Sequence, residues 1–404
     1  ADFAQNRCDT ILYDDVYDIA KGADYGEKEK YWAFKSGAFG QYYLGSLIYY
    51  NLVKIESGRF YLLTKGKELA QAVKDSVDEE IRSLMLECIT EGGLSEEEIT
   101  RLLPLGLNAI NPNSSEWIFL NNLLTKEDSN GLTLRRETVY LVLTACESEV
   151  PISNFVTHVF LEYKQLRRSS PAAFGWYFYY LCEALHYGIE SIFCYVLDCI
   201  DKFQNPPVSV LLDNAVDDLV MLLNDEQQYK SIDEWIKDYH AEIEWQLSEV
   251  KRLMKGQDYA KSVIESLKLF WLLYQEFQQN KTAIMDFEQK YDLVRQRGIL
   301  SEGLKDYVER YVSLPIRTYL EKVLRQVMNE HTFVAIKKMG NSDLDLRKFI
   351  LENGCAILVE MRYPNETNPR IESLHNFLVD LGYLKIDNTT TPIAKKFLSE
   401  YGKE

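Results

Sequence analysis

Residues that stop helices are scarce in this chain: 404 residues hold only 10 prolines and 20 glycines, so long helices can run uninterrupted. Histidine is rarer still, at five, and none of the seven cysteines stands in a Cys-x-x-Cys pair. The spacing of a structural zinc site is therefore missing. Cys182, Cys194 and Cys199 fall in an apolar helical stretch, where thiols act as small core hydrophobes. An odd number of cysteines with no paired spacing is expected in a reduced, cytoplasmic protein. No run of 18 apolar residues occurs, so no membrane-spanning helix is expected. The opening residues, Ala1 to Arg7, lack the basic-then-apolar order of a signal segment. Neither of the two common glycine-rich phosphate loops is present, and no cofactor is expected.

What the chain does contain is ordinary globular material. Hydrophobic residues make up 46% and charged residues 26%, and the length is too great for one small core. Helical spacing through the middle predicts a mainly α protein, a multi-helical middle flanked by winged-helix-like modules (α plus a small β-wing) near both termini. Four segments are expected: 1–77, an N-terminal region with a basic winged-helix-like module; 78–204, an apolar helical core; 205–340, a long helical hairpin; and 341–404, a C-terminal winged-helix-like module. Ser95-Glu96-Glu97-Glu98 opens a helix as a capping box, and Gly175–Tyr187 and Ile189–Ile200 read as two buried helices. Trp235, Ile243, Leu247, Val250 and Leu253 mark one face of the hairpin, and Cys355–Met361 reads as a short strand or a helix end.

The winged-helix expectation rests on a pattern found at both ends. Leu44 to Asn51 is an apolar helix with an Asn stop. Val53-Lys54-Ile55 and Phe60-Tyr61-Leu62 then flank the polar tip Glu56-Ser57-Gly58-Arg59, and Thr64 opens the next helix. The C-terminal copy runs from Leu374 through Gly382, a strand at Leu384-Lys385-Ile386, a tip at Asp387–Thr390 and a helix after Thr391. Wings are thus expected near Val53–Leu62 and Leu384–Thr391. Modules of this shape bind DNA or other proteins.

Charge separates the two copies. The net charge is −17, which excludes a protein that coats nucleic acid by summed positive charge. Yet Lys28 to Lys74 holds eight basic and three acidic residues, net +5, so the remainder totals −22. The segment 341–404 holds eight basic and ten acidic residues, net −2. Double-stranded DNA, if bound, is therefore expected on the N-terminal module. Lys35, Gln41 and Tyr42 would lie on or at the head of its recognition helix, Lys54 and Arg59 in the wing, and Lys65 and Lys67 just after it. Tyr43, Tyr49 and Tyr50 share that helix, as stacking rings or as core filler. The competing expectation is that Lys54, Arg59, Lys65 and Lys67 only solvate a small domain resting on an acidic protein partner.

Catalytic constellations are weak. Phe160-Leu161-Glu162-Tyr163-Lys164 has the Glu-x-Lys ending of a metal-dependent nuclease strand, with Glu162 holding the metal and Lys164 steadying the attacking water. A second carboxylate on a neighbouring strand is required, and Asp128, Glu147 and Glu149 follow no clear strand, so a solvated pair on a helix is the favoured reading. Glu183 and His186 have the spacing of a di-iron ligand pair, but no second copy exists, and a core histidine is expected. His331 has no nucleophile near it in sequence.

Tyr319-Leu320-Glu321-Lys322-Val323-Leu324, His331 through Lys338, Thr367-Asn368-Pro369-Arg370 and Phe377 through Leu384 carry a resemblance. This last third resembles an uncharacterised bacterial family associated with antiviral defence gene clusters. In organisation, winged helices at both ends of an acidic helical middle resemble the kleisin subunits of bacterial condensin-type complexes, which link two ATPase heads through their terminal modules. The resemblance transfers no catalytic residue. It implies a non-enzymatic subunit or adaptor of a protein–nucleic acid complex, in antiviral defence or DNA maintenance, partnered by other subunits and by no membrane. The alternatives are the Glu162/Lys164 nuclease and a winged-helix transcription regulator.

Overall fold

The computed structural model describes residues 44–56, 59–91, 95–106, 109–126, 134–166, 170–224, 227–293, 299–339 and 346–401. Among them the regular structure is mainly helical: seventeen α-helices and two antiparallel two-stranded sheets. In chain order these are α1 (Leu44–Tyr49), β1 (Val53–Glu56), β2 (Arg59–Leu62), α2 (Thr64–Ser76), α3 (Glu79–Glu91), α4 (Glu96–Leu102), α5 (Ser115–Thr125), α6 (Leu134–Glu147) and α7 (Phe155–Leu166). There follow α8 (Pro171–Lys202), α9 (Val208–Val220), α10 (Ile232–Ile236), α11 (Ile243–Lys255), α12 (Tyr259–Gln279), α13 (Lys281–Lys290), α14 (Leu300–Leu304), α15 (Ile316–Met339), β3 (Phe349–Glu352), β4 (Cys355–Leu358), α16 (Ile371–Asp380) and α17 (Pro392–Tyr401). No helix among the described residues is long and apolar enough to cross a membrane.

The chain forms two compact units. One takes Ala1–His158, Ser169–Ala173 and Arg370–Glu404; the other takes Val159–Arg168 and Phe174–Pro369. The boundary expected at 341 falls instead at Arg370, so the expected C-terminal segment is split. Its β3–β4 hairpin belongs to the second unit and its last two helices to the first. The physical reason is a set of contacts between residues far apart in sequence. Trp117 on α5 donates its indole N–H to the Leu381 carbonyl at 2.9 Å, the Tyr383 hydroxyl bonds the Asn121 carboxamide, and the Arg136 guanidinium lies 5.0 Å from the Tyr401 ring. Helices α5 and α6 therefore share one unit with α16 and α17.

In the first unit the core is built from α6 residues Val139, Val142 and Leu143 with Phe155, Leu378 and Leu381, all buried. Helix α4 begins as its sequence predicts: the Ser95 hydroxyl accepts from the Glu98 N–H, and the Glu98 carboxylate accepts from the Ser95 N–H at 2.7 Å. The Ser95 hydroxyl also donates to that carboxylate at 2.7 Å, and with the Ser95 N–H it holds the Glu98 carboxyl below its usual range.

The second unit centres on α8, a single helix of 32 residues where the sequence suggests two. Gly188 does not break it, because tertiary packing overrides glycine's propensity cost there. A side chain at Gly188 would meet a Phe270 ring carbon at 2.5 Å, so the glycine admits that ring against the helix. Phe160 stacks on Tyr180 at 4.1 Å and Tyr177 at 5.6 Å, and Tyr307, Tyr319 and Phe270 are fully buried. The expected helical hairpin is α11–α12, turning at Gly256–Asp258, with Ile243, Leu247, Val250 and Leu253 inward; Trp235 sits apart on α10. Cys194 and Cys199 are buried and free, and burial pushes both thiols up to about 12, as inert core residues.

Candidate nucleic-acid and protein interface

Alternation along β1 and β2 gives the N-terminal hairpin two unlike sides. The register pairs Val53 with Leu62, Lys54 with Tyr61, Ile55 with Phe60 and Glu56 with Arg59. Cross-strand partners share a side, so one side carries Val53, Leu62, Ile55 and Phe60, and the other Lys54, Tyr61 and Glu56. Val53 is buried at the base, whereas Ile55, Phe60 and Leu62 are exposed. On the polar side the Lys54 ammonium meets the Glu56 carboxylate at 2.6 Å and lies 5.8 Å from the Tyr61 ring. Lys54 is thus partly neutralised where a phosphate contact was expected.

Helix α2 is seated against this hairpin through Gly66. The Leu63 N–H donates to the Leu52 carbonyl at 2.9 Å, and a Cβ on Gly66 would stand 2.1 Å from that same oxygen. Only glycine allows so close an approach. Lys65, half-buried, and Lys67, exposed, occupy the first turn of α2. Arg59 contributes a described backbone in β2, with nothing described of its side chain, and Lys35, Gln41, Tyr42 and Tyr43 lie outside the described residues. Of the rings on α1 and its end, Tyr49 is exposed and Tyr50 half-buried, with the Arg135 guanidinium 5.0 Å from the Tyr50 ring. Lys54, Lys65 and Lys67 therefore stand on successive elements of one α–β–β–α module.

The C-terminal counterpart is built differently. Its expected wing is a single β-bridge between Leu384 and Thr390. The tip satisfies itself locally: the Thr389 N–H and hydroxyl both donate to Asp387 Oδ1, at 3.1 and 2.7 Å, and Asn388 adopts φ 68°. Side chains that bond their own backbone in this way compete with a strand ladder. His375 Nε2 lies 2.8 Å from Asn388 Oδ1, and the Thr391 hydroxyl donates to the Gly382 carbonyl at 2.6 Å. Gly382, at φ +77°, ends α16 as left-handed glycine commonly does.

The other sequence candidates resolve as structural groups. Glu162 and Lys164 lie on α7, a helix, so the strand-borne nuclease arrangement does not form. Lys164 instead pairs with Glu242 at 2.8 Å and lies 5.5 Å from the Phe160 ring. No group of three or more His, Cys, Asp or Glu side chains among the described residues is arranged to hold a metal ion. His186 is exposed and 3.7 Å from Glu190, which overturns the core-histidine expectation, while Glu183 accepts the Thr367 N–H at 2.8 Å. His331 Nε2 accepts the Lys348 N–H at 3.0 Å, and its ring stacks on Phe193 at 4.4 Å. Burial, with Lys348, Arg362 and Lys338 pushing the same way, lowers that imidazole to about 4, so it stays neutral.

Two further features escape the sequence reading. A cleft of about 490 Å³ opens beside the α11–α12 hairpin, with Leu223, Trp235, Leu253 and Ile264 among its lining. Its cations Arg252, Lys261 and Lys268 are each paired three residues away with Glu249, Asp258 and Glu265, at 2.5, 2.7 and 2.7 Å. The spacing of those pairs is visible in the sequence; the cleft they rim is not. The second feature is helix α3, which exposes Leu86 and Ile89 within a strongly acidic stretch. Neither family models, nor curated proteins, nor solved structures yield a match to this chain.

Proposed function

We propose that this chain is a non-catalytic subunit or adaptor of a bacterial protein–nucleic acid complex, of the antiviral-defence or DNA-maintenance kind. The α1–β1–β2–α2 module is read as a winged helix and the C-terminal α16–α17 segment as its packing counterpart. The observation that carries this reading is the two-sided β1–β2 ribbon on the one basic stretch of an acidic chain. Its polar side and the adjoining first turn of α2 offer Lys54, Lys65 and Lys67 toward phosphate, while Ile55 and Leu62 are exposed on its other side. In this reading Lys35, Gln41 and Tyr42 approach base edges and Arg59 follows the backbone. The acidic remainder repels DNA elsewhere, so binding is modest and steeply salt-dependent.

Titrating fluorescent duplex DNA at low salt tests the nucleic-acid half. Lys65→Glu with Lys67→Glu is expected to weaken binding by about tenfold or more, because two phosphate contacts become repulsive. Binding unchanged by that pair of substitutions removes DNA from the function and leaves protein contacts alone.

A further inference from the structure

The segment Met361–Thr367 lies between β4 and α16, in the second unit, and has no regular secondary structure. None of its side chains is buried: Met361 and Pro364 are half-buried and the others exposed. On either side of it, Ala356 of β4 and Ile371 of α16 are buried. Among the described residues no backbone–backbone hydrogen bond reaches the segment. Its ties come from side chains on α8. Glu190 accepts the Asn365 N–H at 2.9 Å, Glu183 accepts the Thr367 N–H at 2.8 Å, and the Tyr179 hydroxyl donates to the Thr367 carbonyl at 3.0 Å. The helical spacing of Tyr179, Glu183 and Glu190 puts all three on one side of α8, and the segment runs antiparallel to the helix. Two ion pairs complete the attachment, Arg362 with Glu190 at 3.5 Å and Glu366 with Lys251 of α11.

We propose that Met361–Thr367 is a detachable strap, held on α8 by charge and lifting as one piece while the elements beneath it stay folded. With no buried side chain, the strap gives up little hydrophobic stabilisation on leaving. Its ion pairs are exposed, so each is weak and is screened by salt. On release the Glu183 and Glu190 carboxylates exchange an amide for water, and the Asn365 and Thr367 amides do the same, so no buried polar group is left unpaired. Lifting uncovers Tyr179, Glu183 and Glu190 on α8 with Lys251 beside them, and turns the segment ahead of α16 into a free linker. The device is a cover whose position ionic strength sets. None of its residues belongs to the DNA reading, so the two stand or fall separately.

Amide hydrogen exchange of the full chain tests it, at about 0.01 M and about 1 M salt, between which the screening length falls from roughly 30 to 3 Å. Met361–Thr367 is expected to exchange about tenfold faster at high salt, with α8 and Phe349–Leu358 unchanged. At low salt, Lys251→Glu and Glu366→Lys are each expected to speed exchange of the strap by about tenfold. The two together should return it toward the wild-type rate, because the reversed charges pair again. Both side chains are exposed, and circular dichroism and the melting curve confirm that the variants stay folded. Strap exchange already fast at low salt overturns docking. Exchange that stays slow at high salt and in both single variants overturns charge as the fastening. Exchange that rises only in step with α8 overturns lifting as one piece.

Discussion

The β1–β2 and β3–β4 hairpins are the same size, four residues a strand, and differ in what covers them. Strand β4 is paired on its second edge. The Ala356 N–H donates to the Pro206 carbonyl at 3.0 Å, the Leu358 N–H to Asn205 Oδ1 at 3.1 Å, and the Gly354 carbonyl accepts from the Val208 N–H at 3.0 Å. Phe349 and Ala356 are buried, and His331 anchors the strand entrance through Lys348. In the β1–β2 ribbon Val53 is buried, whereas Ile55 and Leu62 are exposed. A two-stranded ribbon has little stability of its own, so one that keeps its apolar side exposed is better suited to contact than to support. The C-terminal tip repeats the contrast: it resembles the N-terminal wing in sequence, yet Trp117 and Tyr383 tie its surroundings into the first unit.

The largest expected effect breaks the buried hairpin. Phe349→Ala empties a fully packed site and is expected to cost about 3–5 kcal/mol in chemical denaturation; a loss below about 1 kcal/mol would put β3–β4 on the same footing as β1–β2. Gly66→Ala comes next, at about 2–3 kcal/mol, since the new methyl meets backbone oxygen rather than a yielding side chain. Loss of DNA binding together with that destabilisation would show that the seat of α2 positions Lys65 and Lys67.

His331 sharpens the comparison through pH. Its imidazole falls from 6.5 to about 4 on folding, so the unfolded chain binds the extra proton between those values. Stability from this group is therefore full above about pH 6.5 and is lost as pH falls toward 4. Thermal melts of His331→Gln should lack that part of the slope. The effect is smaller than the packing losses because the ring is half open to solvent. Ile55→Glu should leave stability within about 0.5 kcal/mol of wild type, since the side chain is exposed.

Legibility followed the range of the interactions. The β1–β2 ribbon could be read directly, because its alternation and its glycine-bearing tip are local. The β3–β4 hairpin carries an equally local signal, Asn353-Gly354 with φ of 50° and 79° between two apolar runs. It is obscured because Phe349-Ile350-Leu351 is continuous rather than alternating and fits a buried helix equally well. Gly188 misleads for the opposite reason: it looks like a local break, and a distant ring, Phe270, decides its role. The return of α16–α17 to α5 depends on Trp117 meeting Leu381, a contact 264 residues apart in sequence that no local pattern announces. The polar side of the ribbon was visible as charge, but the neutralising approach of Glu56 to Lys54 was not.

Hydrogen exchange of the backbone amides, read by mass spectrometry on the free protein and with duplex DNA, tests the contrast between the hairpins most directly. The expected result is slow exchange in Phe349–Leu358 under both conditions. Val53–Leu62 should exchange fast in the free protein and slow when DNA is added. Exchange in Val53–Leu62 as slow in the free protein as in Phe349–Leu358, and unmoved by DNA, would contradict the proposed contact surface.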